Sequence, residues 1–473
     1  MKSSHRYLAK KIAVQAGPLI FTVLLMISLA EAREASRRIE DEKRESLAAT
    51  EYSGRPASDR RAFDYGGWVN FRYIDYNEDD KNSALPDDVD YTTWQDYRLW
   101  WKAVFRPLDP QDNNELLLYL RLKDLYLNSR PKETAGGSDN DGPHIDYAYA
   151  MLEVKPLQLK AGRSYFSVGQ GIAYSDVHDG IEMAWLSGKL NARAFFSHTL
   201  PHQDNIDTSV PGYDKDSDRF FYGLQCDYLG IAGQSLYGYA LIQRDYSDEQ
   251  PQDPLHDYAY NSEYFGLGAY GKLKSVVSYW WEIIGETGKS FIYDTNEKKD
   301  IRAWAQVFAV SYEPKVQTHP SFYFKYAFGS GDKDRVSVTD TLNGNSSGRD
   351  TNFLYFGYLP TGYALAPQLS NIYFFKTGFT CKPLEQSKFF KNLALGIDYY
   401  KYYKDKKTAG IYDPQATEPQ RDIGQEVDIS LSWQILSDLN FALQYGHFMP
   451  ADAYAEPAND SEDYFSVSTT IAF

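Results

Sequence analysis

Only two cysteines, Cys226 and Cys381, occur in the whole chain. That excludes a disulfide-stapled fold, and neither residue stands in a C-x-x-C or metal-ligand spacing, so free thiols are expected. After Leu29 there is no apolar run of the roughly 20 residues that a helix needs to cross a bilayer, so any later passage through a membrane must be made by strands. Positive charge is in deficit: 49 Lys and Arg against 65 Asp and Glu leave a formal charge of -16. Nucleic-acid binding rests on basic surfaces and is a poor match to this balance. H-E-x-x-H is missing too. The chain is therefore expected to be a non-enzyme without a cofactor. Asp176, His178 and Asp179 are the nearest approach to a metal donor set, and a solvated loop accounts for them more plainly.

What is present begins with an address. Lys2, Arg6, Lys10 and Lys11 precede an apolar run, Pro18–Leu29, and an A-x-A site at Ala30-Glu31-Ala32. This order predicts a cleaved signal peptide over residues 1–32. Residues 33–62 are charged, without a sustained apolar face, and read as a periplasmic linker. Residues 63–473 carry the fold.

That part is rich in aromatics, with 40 Tyr, 26 Phe and 9 Trp in the chain. Its texture shows in Leu157–Phe196. After the turn Ser187-Gly188-Lys189, Leu190, Ala192, Ala194 and Phe196 share one face, while Asn191, Arg193 and Phe195 share the other. Alternation of this kind marks strands with two environments. Eighteen such strands are legible between residues 65 and 473. Connections alternate between short (Lys155-Pro156, Ser187-Gly188, Lys272-Leu273) and long and polar (Asn128–Pro143, Pro201–Asp218, Tyr246–Tyr260, Lys404–Gln420). An even strand number, aromatic girdles and turns of unequal length predict an all-β fold: an 18-stranded antiparallel transmembrane barrel with short periplasmic turns and long extracellular loops. Cys226 and Cys381 then fall on strands that are not neighbours. The last strand alternates down to a terminal aromatic, Phe473, similar to the assembly signal of outer-membrane proteins. The longest loop, Gly331–Gln368, contains the aromatic stretch Asn352–Tyr363, which suits a place in the lumen or over the mouth.

Parity assigns an inside, because a charge on the lipid face costs roughly 2–4 kcal/mol at the midplane. By this reading Arg72, Arg98, Lys102, Arg121, Lys123, Arg193, Arg302 and Lys325 point into the lumen. For Arg302 the reading places Ile301, Ala303, Ala305 and Val307 against lipid. Glu182, Glu282, Asp398, Glu426 and Asp428 point inward as well. Arg163 shares parity with Leu157, Leu159 and Ala161, so a bulge at Ala161-Gly162 is expected to turn it inward. A basic lining concentrates anions, and an anion-selective channel is the function this pattern predicts. Uptake of anionic oligosaccharides or general porin activity would use the same barrel.

Leu159–Gly171 (LKAGRSYFSVGQG), Asp179-Gly180, Lys325–Asp332 (KYAFGSGD) and Tyr358–Tyr363 (YLPTGY) resemble the alginate-export family of outer-membrane porins. The resemblance implies a barrel in the outer membrane of a Gram-negative bacterium that passes an anionic polysaccharide through an Arg-rich constriction. Arg163 and the neighbouring lumenal cations would contact the polymer, and Glu182, Glu282, Asp398 and Asp428 would shape the constriction. A loop and a periplasmic turn would act as gates. Expected partners are the anionic polysaccharide, outer-membrane lipid and periplasmic export components, with the barrel itself monomeric.

Overall fold

The structure is a computed structural model describing residues 62–77, 81, 91–106, 114–130, 137–140, 142–201, 203, 217–247, 260–292, 297–339 and 344–473. The signal peptide expected over residues 1–32, and all but the last residue of the linker, lie outside these.

The described residues form strands only: β1 (Phe63–Asn77), β2 (Tyr91–Phe105), β3 (Glu115–Arg130), β4 (Gly137–Asn140), β5 (His144–Val154), β6 (Leu157–Ser167), β7 (Ser175–Leu186), β8 (Leu190–His198), β9 (Arg219–Ile231), β10 (Gln234–Asp245), β11 (Asn261–Leu273), β12 (Val277–Ile292), β13 (Glu297–Tyr312), β14 (Ser321–Gly329), β15 (Ile372–Cys381), β16 (Leu393–Lys404), β17 (Asp422–Gln434), β18 (Leu439–Pro450) and β19 (Glu462–Ala472). β4 pairs only with the end of β3. The other eighteen are antiparallel neighbours in sequence, and β1 pairs with β19 from Trp68–Ala472 to Asn77–Asp463. The sheet is therefore closed and leaves no edge unpaired. Cys226 on β9 and Cys381 on β15 are free.

The outer surface is apolar: Ile181, Met183, Leu224 and Leu267 are each more than half exposed. A belt of this kind is stable only against lipid. The inner face is not a hollow tube. The described residues between β14 and β15, 330–339 and 344–371, fold inward, and their Phe353, Leu354, Leu359, Ala364, Leu365 and Leu369 are at most 5% exposed. A second insertion, Val168–Tyr174 between β6 and β7, meets them. Tyr174 and Phe356 form a parallel bridge, Phe356 N–H donates to Ala173 O (2.9 Å) and Tyr358 N–H to Gly171 O (2.9 Å). Between them Gly357 passes so close to the carbonyls of Gly171 and Ile172 that a side chain would strike backbone. The long loop is thus a plug within the lumen.

This filling overturns one parity assignment. Ile301, Ala303, Ala305 and Val307 are at most 5% exposed and face the interior, so Arg302 lies on the outer surface with Trp304 and Phe308. Parity alone took the apolar row for the lipid side, but here the apolar row meets an apolar plug. Arg163 is a second correction. β6 pairs with β5 and β7 in unbroken register through Ala161 and Gly162, so no bulge turns the side chain. Its guanidinium stays on the outward row and grips the Asp179 carboxylate at 2.9 and 3.0 Å. Asp179 shares the outward parity of Ile181 and Met183, and the pairing is what makes the charge tolerable there.

Candidate functional site in the lumen

Three inward carboxylates hold the two insertions. On β12, Glu282 accepts from Gln170 N–H (2.9 Å) and from the hydroxyls of Tyr237 (2.8 Å) and Tyr239 (2.7 Å). Two steps of the alternation further, Glu286 accepts from Leu354 N–H (3.0 Å), Tyr260 (2.6 Å) and Tyr264 (3.1 Å). On β17, Glu426 accepts three consecutive backbone N–H groups, those of Tyr363 (2.6 Å), Ala364 (2.8 Å) and Leu365 (3.2 Å), plus the Tyr402 hydroxyl (3.1 Å). The turn that aims them depends on Gly362, whose φ of +135° is unsuited to a side chain. All three carboxylates are at most 1% exposed. A carboxylate buried without donors is costly, so wall and plug satisfy each other. Glu282, expected to shape a constriction, anchors the Val168–Tyr174 insertion here. Asp428, two residues from Glu426 and in register with Asp398, is 2% exposed beside it.

The predicted cations divide by environment. Arg98 and Arg121 are inward but sealed. Arg98 bonds Asp96 (3.0 Å) and Asp146 (3.1 Å), Arg121 bonds Asp146 (2.7 Å), and both guanidinium groups sit over the Trp68 ring at 5.5 and 5.3 Å. Lys123, next on that face of β3, is 2% exposed. Lys102 and Lys325 are half-buried on inward rows. Near the short-turn end, Lys160 and Arg193 share Glu182 at 3.6 and 3.9 Å, and Arg193 also donates to Gln225 (3.0 Å). Across the barrel Asp398 holds Lys376 (2.7 Å) and the Tyr323 hydroxyl. Arg72 is half-buried and donates to two neutral groups, Ser466 Oγ (3.2 Å) and Gln444 Oε1 (3.1 Å). Arg163 and Arg302 do not join this set.

Asp96, Asp146, Lys160, Glu286 and Lys376 were not singled out from the sequence. Asp146 reaches both arginines because a bulge opposite Arg121/Leu122 sends Asp146 and Tyr147 inward together. The signal was available: the apolar parity changes between Ile145 and Ala148. Asp176, His178 and Asp179 do not converge. Asp176 and His178 approach to 3.6 Å, but Asp179 is on the opposite face with Arg163.

Two clasps order the long-loop end. Lys81 bridges Asp413 (2.9 Å) and Glu462 (3.0 Å). Burial would lower the Lys81 pKa, yet the two carboxylates outweigh it and raise it. Within the plug, Arg335 binds Asp350 at 2.6 Å. Burial pushes the Asp350 carboxyl upward, and the guanidinium outweighs that and holds it below the usual carboxylate range.

A closed lipid-belted barrel with an internally anchored loop defines an outer-membrane β-barrel of the porin class. Solved structures agree on the fold. The chain is similar to OccK8 (OprE) of Pseudomonas aeruginosa, at 11% identity over 87% of this chain and 98% of that one, with a TM-score of 0.54. OccK11 (OpdR) of the same organism matches at 11%, 87%, 96% and 0.51, and OccAB2 of Acinetobacter baumannii at 11%, 87%, 98% and 0.51. At such identity only the architecture is shared. No curated protein sequence matches the chain. The alginate export family model matches residues 59–468, and the chain belongs to that family.

Proposed function

We propose that this channel lies in the outer membrane of a Gram-negative bacterium and passively conducts an anionic polysaccharide of the alginate type. The observation that carries the reading is the charge left available in the lumen. Arg72 is held by neutral groups only, and Lys160 and Arg193 divide one carboxylate between them. Such cations can exchange water for successive polymer carboxylates without holding any of them tightly, as conduction requires. The sealed pairs of Arg98 and Arg121 have no such freedom and serve the wall. Among the sequence-predicted acids, Glu182 and Asp398 temper the cations beside them, while Glu282 and Asp428 belong to the anchored region. Passage requires the plug to move aside. A single closed barrel suffices, and periplasmic export components would deliver the polymer.

The test is single-channel recording in planar bilayers. The native chain should favour anions, and polyuronate but not a neutral oligosaccharide should block the current. Arg72→Gln with Arg193→Gln should lower the anion preference. A cation-selective native channel, or unchanged selectivity in the double variant, would sink the proposal.

A further inference from the structure

The outward position of Arg302 belongs to a cationic cluster that the lumen does not use. On β13 the outward row at the long-loop end reads Lys298, Asp300, Arg302, Trp304. On β12, Lys289 is in register with Asp300 and its Nζ lies 2.5 Å from Oδ1. On the other side of β13, residue 350 adds as a parallel bridge to Ile301. There Arg302 N–H donates to Asp350 O (2.8 Å) and Asp350 N–H to Asp300 O (3.1 Å). The Asp350 side chain is buried inward against Ser290 and Arg335, whereas Arg349 beside it is exposed. Lys289, Arg302 and Arg349 all lie close enough to act electrostatically on Asp300.

Three cations on three adjacent segments thus face one carboxylate. With segments about 4.8 Å apart, the row is about 10 Å wide. Elsewhere on the outward face near this end, described ion pairs are matched: Arg163–Asp179, His198–Asp218, Arg244–Glu263, Lys401–Asp422 and His447–Asp463. Among the described residues the excess is local. Next in the row is Trp304, 43% exposed and 4.4 Å from the Phe328 ring. An exposed indole of this kind marks the level where headgroups begin.

We infer that Lys289, Arg302 and Arg349 bind the phosphate-bearing headgroup of an outer-leaflet glycolipid, with its acyl chains running down past Trp304 and Phe308. The inference rests on the membrane-barrel assignment and not on what the lumen conducts. Guanidinium groups match phosphate oxygens in bidentate fashion, and the excess of cations among the described residues suits a phosphate-bearing group. Asp300 keeps Lys289 extended across the row.

The experiment is native mass spectrometry of the full chain in detergent, titrated with bis-phosphorylated lipid A. The native protein should retain lipid A, and Arg302→Gln with Arg349→Gln should weaken binding about thirtyfold. Dephosphorylated lipid A should bind the native chain as poorly, and soluble glucosamine 1-phosphate should not compete. Arg244→Gln, at a matched pair, should leave binding intact. Should the double variant fail to fold, Arg349→Glu alone gives the reading from outside the strands. Equal binding by the charge variants or by dephosphorylated lipid would overturn the inference, as would full competition by the soluble phosphate, which would mark a site for free anions. Conductance on the same preparations separates loss of this site from loss of the channel.

Discussion

Asp146 carries more than its position in a strand suggests. One of its oxygens lies 3.1 Å from Arg98 and 2.7 Å from Arg121, and both cations are at most 1% exposed. Removing the charge would take away the carboxylate that the two buried guanidinium groups share, leaving Asp96 on Arg98 among the described ion pairs. Breaking a buried pair in this way typically costs about 3–5 kcal/mol. Asp146→Asn should therefore lower the temperature at which the folded barrel loses its compact electrophoretic mobility, while selectivity of the surviving channels changes little. An unaltered transition would show that the pair does not support the wall. At this scale the sequence was partly readable. Arg72, Arg98, Arg121 and Arg193 stand on polar rows of clear alternation, and their inward direction followed. Their different roles did not, because partners such as Asp146 and Gln225 come from other strands and depend on register. Arg302 misled because two apolar environments, lipid and plug, lie on opposite sides of one strand.

The plug is the element that decides whether the lumen is open. Its aromatic stretch was visible in Asn352–Tyr363, but its seat was not, since the anchors are isolated glutamates on distant strands. Glu426 is the firmest, with three backbone donors converging on it. Glu426→Gln keeps the shape but replaces the carboxylate by one amide oxygen and two donors, which would face the same N–H groups. Charge-assisted bonds are roughly twice as strong as neutral ones, so the tip Tyr363–Leu365 should detach for a larger share of the time. More frequent openings in planar bilayers are expected, with open-state conductance close to that of a variant whose residues 353–369 are replaced by a short Gly-Ser linker. Unchanged opening frequency would mean that the latch lies elsewhere, with Glu286 the next residue to change.

For the whole molecule, the eighteen spanning strands, their order and closure followed from alternation and turn length, because both are local. β4 escaped notice because it is a short polar extension of one hairpin. Acid stability is also a property of the whole. Asp350 and Asp413 have depressed pKa values, Asp350 through Arg335, which outweighs burial, and Asp413 through Lys81, which likewise outweighs it. Their contribution is present above the unfolded carboxylate value of about 3.9 and is lost as pH falls through the folded values. Lys81, raised, contributes below about 10.4 and loses that contribution at higher pH. The part of the unfolding temperature that rests on Asp350 and Asp413 should therefore be complete near neutrality and be lost in acid below about pH 4. Arg335→Gln should reverse the Asp350 part, because burial, the largest influence on it, is then opposed only by the hydrogen bonds from Ser290 and Asn352 N–H. That variant should be weakened at neutral pH and recover relative to the native chain on acidification. Parallel acid profiles would refute the clasp.

The plug leaves and rejoins the wall on adjacent strands, β14 and β15. Its anchors sit symmetrically about that hairpin, Glu286 two strands before it and Glu426 two strands after. Six consecutive strands, β12 to β17, are therefore enough to seat most of it. The stopper can be fitted on an open, curved sheet before β1 meets β19, and the Val168–Tyr174 insertion then closes on it from the other half as the ring is completed. Order of assembly gives the cell a protection that the finished shape alone does not reveal: the pore can come into being already shut.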